Sequence, residues 1–199
     1  AAGEVASRMV VAAVHDMANE GAPMDTAALK SAVLRANAQV LSAAAGNSLY
    51  EGMGSTATVL HIDESAGMAY YAHVGDSRLY LLRRGVFRQV SRDHSYVEEL
   101  VARGELSEEE AQHHPRKNLL LRAVGIEEHL HVDGDSFPLE TGDRLLLATD
   151  GLTNMVDDDA LASLLGGEFS DVAKRMAERA LAGGGSDNIT AIALAYEMP

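Results

Sequence analysis

The stretch 56–90, TATVLHIDESAGMAYYAHVGDSRLYLLRRGVFRQV, decides the fold class. Residues 56–62, 68–74, 79–82 and 87–90 are short runs rich in β-branched, aromatic and leucine side chains, separated by turn formers. Ser65-Ala66-Gly67 and Arg83-Arg84-Gly85 supply the expected turns, so the stretch predicts an antiparallel meander.

Outward from it the texture changes. Upstream, residues 2–18 are helical in pattern, with Val5, Met9, Ala12 and Val14 available for one face. Gly21-Ala22-Pro23 breaks that helix, Asp25 or Thr26 caps a second one, and Gly46-Asn47 ends it after about Ala45. Downstream, 96–121 is helical and heavily charged, interrupted by Gly104 and Pro115. Residues 130–137 and 144–149 then predict strands around a Thr141-Gly142-Asp143 turn. Helices are expected at 157–165 and 170–181, and a last strand at 188–196. There is no internal repeat and no linker of domain-separating length. The order predicts a single α+β domain over 1–199, with helices packed on antiparallel sheets.

Composition narrows the chemistry. A chain of 199 residues, 47% hydrophobic and 23% charged, has ample length for a buried core. Sixteen Lys and Arg against 30 Asp and Glu give a formal charge of −14. Such a surface disfavours nucleic acid and anionic membrane as partners and suits a protein that collects divalent cations. With no cysteine, disulfides, thiolate ligands and cysteine nucleophiles are excluded, and any metal must take oxygen or imidazole. No apolar run approaches the roughly 20 residues of a membrane span, and no signal-peptide pattern opens the chain. A cytoplasmic location is the expectation.

Three aspartates stand out. Asp150 ends the apolar strand Leu145-Leu146-Leu147-Ala148-Thr149 and precedes Gly151. Asp187 follows Gly183-Gly184-Gly185-Ser186 and precedes the last strand. Asp93 sits where the meander hands over to the charged helical segment. Carboxylates at strand ends suit Mg²⁺ or Mn²⁺, which prefer oxygen ligands, although each alone also suits a turn or a helix cap. His113 and His114 point apart on a helix and lack a third ligand. His73 is expected to be packed or hydrogen-bonded, and His94 to act at most as a donor beside Asp93. No Gly-x-Ser-x-Gly elbow and no Gly-Lys-Ser/Thr phosphate loop is present.

Taken in order, a set of blocks resembles the bacterial metal-dependent protein phosphatases of the 2C type. They are Glu51-Gly52-Met53-Gly54-Ser55-Thr56-Ala57, Ala72-His73-Val74-Gly75-Asp76-Ser77-Arg78, Asp93-His94-Ser95, His114-Pro115-Arg116-Lys117-Asn118 and Arg122-Ala123-Val124-Gly125. Gly142-Asp143, Leu146 to Thr153 and Gly183 to Thr190 complete the series. The resemblance implies an α/β/β/α sandwich of two antiparallel sheets and a site for two Mn²⁺ or Mg²⁺ ions, with a third, weaker position. It further implies hydrolysis of phosphoserine and phosphothreonine on proteins by a metal-activated water. Asp150 and Asp187 would be ligands of the paired metals, Asp187 and Asp93 would be shared with or near the third position, and residues 94–118 would form a flap beside the cleft. Asp76 and Arg78 would be structural, holding a tight hairpin. Partners would be phosphoproteins and a serine/threonine kinase.

The same resemblance implies that the first residues of the family's pattern are missing, because Ala2-Gly3-Glu4-Val5-Ala6-Ser7 is similar to the stretch just after its first Asp-Gly block. The phosphate-gripping Arg, the metal-bridging Asp, a general-acid residue and the first strands would then precede Ala1, and this chain alone would bind metal weakly and turn over little. A pseudophosphatase or regulatory binding module, and a phosphatase of small molecules, are the competing expectations.

Overall fold

The structure is a computed structural model and describes residues 2–198. In chain order it runs α1 (Gly3–Asn19), α2 (Thr26–Gly46), a 3₁₀ turn (Ser48–Tyr50), β1 (Ala57–Asp63), β2 (Met68–Val74), β3 (Arg78–Arg83) and β4 (Val86–Gln89). There follow α3 (Tyr96–Ala102), α4 (Glu108–His113), β5 (Ser136–Pro138), β6 (Asp143–Ala148), α5 (Asp150–Thr153), α6 (Asp158–Gly166), α7 (Val172–Ala182) and β7 (Ala191–Tyr196). These elements form two compact units. One holds residues 2–76 and 93–137, the other 77–92 and 138–198.

In the first unit, α1 and α2 pack on a sheet of order β1-β2-β5. Asp25 caps α2 as expected, its carboxylate accepting from the Ala28 N–H at 2.9 Å. The buried stripe of α1 is Ala6, Val10, Ala13 and Met17, one residue on from the expected face. Val5, Met9 and Val14 flank that stripe and Ala12 is exposed. Alanines at 6 and 13 let α1 lie close to α2, so small size decided which face turned inward. Asn37 is the buried polar residue of α2. Its amide donates to the Glu127 carbonyl at 2.8 Å and accepts from the Gly125 N–H at 2.7 Å. Asn37→Leu strands both backbone groups, and we expect a loss of about 2–3 kcal/mol in chemical denaturation.

In the second unit, α5, α6 and α7 pack on an antiparallel sheet of order β4-β3-β6-β7. Tyr80, Leu82, Leu146 and Ala148 from the sheet meet Leu152, Leu161, Leu165, Val172, Met176 and Ala180 from the helices. Arg83 grips Asp143, only 1% exposed, through two hydrogen bonds of 2.8 and 2.6 Å, and Glu140 pairs with both Arg83 and Arg84. The basic-looking Arg83-Arg84 turn is thus largely neutralised by acidic partners.

Two antiparallel sheets with flanking helices make the expected α+β class, but the expected meander does not form. β1 pairs with β2, whereas β3 pairs with β4 and β6, so the strands of 56–90 are divided between two sheets. Asp76 therefore does not hold a hairpin with Arg78; it lies on the passage from one sheet to the other. Gly75 opens that passage with φ +110°, and a Cβ there would lie 2.3 Å from Thr56 Cγ2. Of the 130–137 run only Ser136 and Phe137 join a strand, β5, which goes on to Pro138, with one isolated bridge at Asp133; the last strand begins at Ala191. The 96–121 segment keeps two short helices and then unwinds around Pro115. No helix among the described residues is long and apolar enough to cross a membrane.

Candidate metal-binding carboxylate pair

The end of β6 and the loop before β7 are stitched together by Thr149. Its N–H donates to the Thr190 carbonyl at 3.1 Å, its hydroxyl donates to the Asn188 carbonyl at 3.2 Å, and that hydroxyl accepts from the Thr190 N–H at 3.0 Å. Asp150 opens the one-turn helix α5, which Leu152 anchors in the core. Gly151 lies against the facing loop so closely that a Cβ would stand 2.3 Å from the Asn188 carbonyl oxygen and 3.4 Å from the Asp187 carbonyl carbon. The stitch and the missing side chain bring Asp150 and Asp187 together.

Asp150 is half-buried and Asp187 exposed. Burial first, then the Asp187 carboxylate, pushes the Asp150 carboxyl above its usual range; the Gly151 N–H and the Arg78 guanidinium pull the other way. Arg78, opposite Ala148 in the β3–β6 register, donates to the Tyr80 hydroxyl at 3.1 Å, and that hydroxyl donates to Asp158 at 3.3 Å. Two carboxylates held together against their repulsion, one of them partly desolvated, are an arrangement that a divalent cation relieves.

Asp93 lies in the first unit, partly buried, and the residue after it enters a dense polar cluster. His94 accepts from the Gly75 N–H at Nδ1 (3.2 Å), while Nε2 lies 3.1 Å from Asp133 Oδ2. Arg122 and His131 also reach Asp133, at 3.3 and 3.1 Å. His73, fully buried, bonds the Gly75 carbonyl through Nε2 and Thr58 Oγ1 through Nδ1, so it is packed and satisfied as the sequence implies. His113 is exposed, and the His114 ring accepts from the Arg116 N–H. Among the described residues no three His, Asp or Glu side chains gather as a cation cage. Sequence patterns gave no sign of Asp133 or Thr149, since both act through partners distant along the chain.

Burial pushes the His94 imidazole below its usual pKa, against the pull of Asp133. For Asp133, burial alone would raise the carboxyl, but its bond to His94 and its cationic neighbours hold it below the usual range. The signs agree. A lowered histidine and a lowered carboxylate both take up more protons when unfolded, so stability is complete at neutral pH and declines on acidification. We expect melting temperatures to begin falling below about pH 6.5 as His94 starts to contribute, and His94→Gln to flatten that first part of the profile.

Comparison with known proteins points the same way. The family model of protein phosphatase 2C matches residues 1–190. The serine/threonine phosphatase stp of Listeria monocytogenes is 39% identical over 198 residues, covering 96% of this chain and 78% of that protein. The crystal structure of the Mycobacterium tuberculosis serine/threonine phosphatase PstP/Ppp superposes with a TM-score of 0.89 at 35% identity, over 98% of this chain and 83% of that one. A catalytic domain of PstP in complex with two manganese ions superposes with a TM-score of 0.86 at 34% identity, over 96% and 80% of the two chains.

Proposed function

The chain belongs to the protein phosphatase 2C family and is that of a protein serine/threonine phosphatase, and from this premise we propose that Asp150 and Asp187 hold divalent cations for hydrolysis of phosphoserine and phosphothreonine on proteins. The observation that carries the proposal is the close approach of the two segments that bear these carboxylates, stitched by Thr149 and packed through Gly151, with the Asp187 charge felt at Asp150. The donors fit Mn²⁺ or Mg²⁺, being oxygen atoms in a chain without cysteine. Such a cation supplies Lewis acidity, making water a competent nucleophile and screening charge on the phosphoryl oxygens. Thr149 and Gly151 keep the pair in register, and Arg78 offsets part of the negative charge around Asp150. Asp93 serves a third, weaker cation position, and residues 94–118 act as a flap over one phosphatase domain spanning 1–199.

Two carboxylates leave most of an octahedral shell to water, so each cation keeps several water ligands, one of which can serve as the nucleophile. Its partners are phosphoproteins in the cytoplasm, including a serine/threonine kinase whose signalling it reverses. A regulatory module released from catalysis would have no use for a strained pair of carboxylates. The test is phosphate release from a phosphothreonine peptide and from a sugar phosphate in Mn²⁺. Mn²⁺-dependent hydrolysis of the peptide, far above that of the sugar phosphate, is the expected result. Sugar-phosphate preference would move the enzyme to small molecules.

A further inference from the structure

We infer that His94 is a positioning residue for Asp93, its ring clasped between the Gly75 N–H and the Asp133 carboxylate so that the carboxylate next to it along the chain stays aimed at its cation. The inference rests on the reading of Asp93 as a ligand of the weaker position, and the test below separates the two.

Donor and acceptor logic fixes the ring. The Gly75 N–H can only donate, so the His94 Nδ1 facing it at 3.2 Å carries no proton. The proton is then on Nε2, which donates to Asp133 Oδ2 at 3.1 Å. Arg122 Nη1 donates to the other carboxylate oxygen, Asp133 Oδ1, at 3.3 Å, and its 3.4 Å approach to the protonated Nε2 is a contact between two donors that both turn to Asp133.

The backbone is held as firmly. The His94 N–H donates to the Gly75 carbonyl at 2.7 Å, making a two-sided clasp with the ring contact. The same carbonyl takes His73 Nε2 at 3.1 Å, and the Asp133 N–H donates to the His73 carbonyl at 3.0 Å. On the other side, Leu121 N–H donates to the His94 carbonyl and Tyr96 N–H to the Leu119 carbonyl, each at 2.8 Å. Both peptide groups flanking His94 are therefore tied, and one of them contains the Asp93 carbonyl.

An imidazole nearly excluded from solvent, with both nitrogens engaged, is a costly way to fill space. An apolar residue would pack there without needing Asp133 or Gly75 as partners. What the histidine adds is direction, since its ring and backbone bonds place the peptide that follows Asp93.

The experiment uses the phosphatase and four variants: His94→Gln, His94→Asn, Asp133→Ala and Asp93→Asn. Electron paramagnetic resonance of Mn²⁺ counts weakly held ions, phosphopeptide hydrolysis gives the half-saturating Mn²⁺ concentration, and metal-free melts report folding. Asp93→Asn is expected to raise that concentration about tenfold or more, and Asp133→Ala and both His94 variants to follow it while still folded. His94→Asn, whose Oδ1 can still accept from Gly75, should fall short of the full effect. A ring ¹⁵N spectrum of the unaltered protein should show the Nε2–H tautomer. Unchanged Mn²⁺ dependence in folded His94 and Asp133 variants, with Asp93→Asn impaired, would overturn the role of His94 alone. An Nδ1–H tautomer would do so even if the His94 variants failed to fold. Unchanged binding in Asp93→Asn would remove the cation position itself, and the inference with it.

Discussion

Asp150→Asn should leave the metal-free protein at least as stable as before while lowering its Mn²⁺-dependent phosphatase activity about 100-fold or more. The two effects come from one cause. The Asp150 carboxyl is pushed above its usual range by burial and by the Asp187 carboxylate, so the folded state resists its ionisation. A raised carboxylate binds its proton more readily folded than unfolded. Its contribution is therefore complete below the unfolded pKa of about 3.9 and is lost as pH rises through the folded value. At neutral pH the charge is a burden on the apoprotein, and the amide removes it. The amide also removes a ligand oxygen that a hard cation takes in its anionic form. Thermal melts in chelator should show an equal or higher transition for Asp150→Asn. Melts in millimolar Mn²⁺ should show the parent gaining and the variant not.

Gly151→Ala should be severe for a different reason. The added Cβ would stand 2.3 Å from the Asn188 carbonyl oxygen and 2.9 Å from its carbonyl carbon, both backbone atoms with no rotamer to escape into. Either α5 or the 187–190 loop must move, and both are fastened to the core, α5 through Leu152 and the loop through Thr149. Overpacking of this kind costs about 1–3 kcal/mol, and here the displacement also opens the gap between Asp150 and Asp187. We expect a clear fall in denaturation midpoint together with weakened Mn²⁺ binding. A Gly151→Ala protein of unaltered stability and metal affinity would show that the two loops are not in contact as described.

Much of the local structure was legible because its causes are local. Met68–Val74 forms a strand with the expected bounds, and Asp25 caps α2, because alternation and capping act over a few residues. Sheet membership was not legible. Gly75-Asp76-Ser77 reads as a hairpin turn whichever sheet receives the next strand, and the partner of β3 is β6, which pairs Arg78 with Ala148 from 70 positions further along. The face of α1 was misjudged by one residue because apolar side chains lie on both candidate faces and alanine size settled the choice. For the site, Asp150 and Asp187 could be picked out as strand-end carboxylates, but their meeting depends on Thr149 and on the missing side chain of Gly151. Spacing says nothing of either. Asp133 escaped notice altogether, since only the fold brings it to His94.

The central claim is that Asp150 and Asp187 form one cation site. Titrating Mn²⁺ into this chain and into its Asp150→Asn, Asp187→Asn and doubly substituted forms, followed by loss of the free-ion resonance signal, tests it most directly. Shared ligation predicts that each single change weakens binding about tenfold or more, and that the double change adds little further loss. Binding that survives both substitutions, or two independent additive losses, would contradict it.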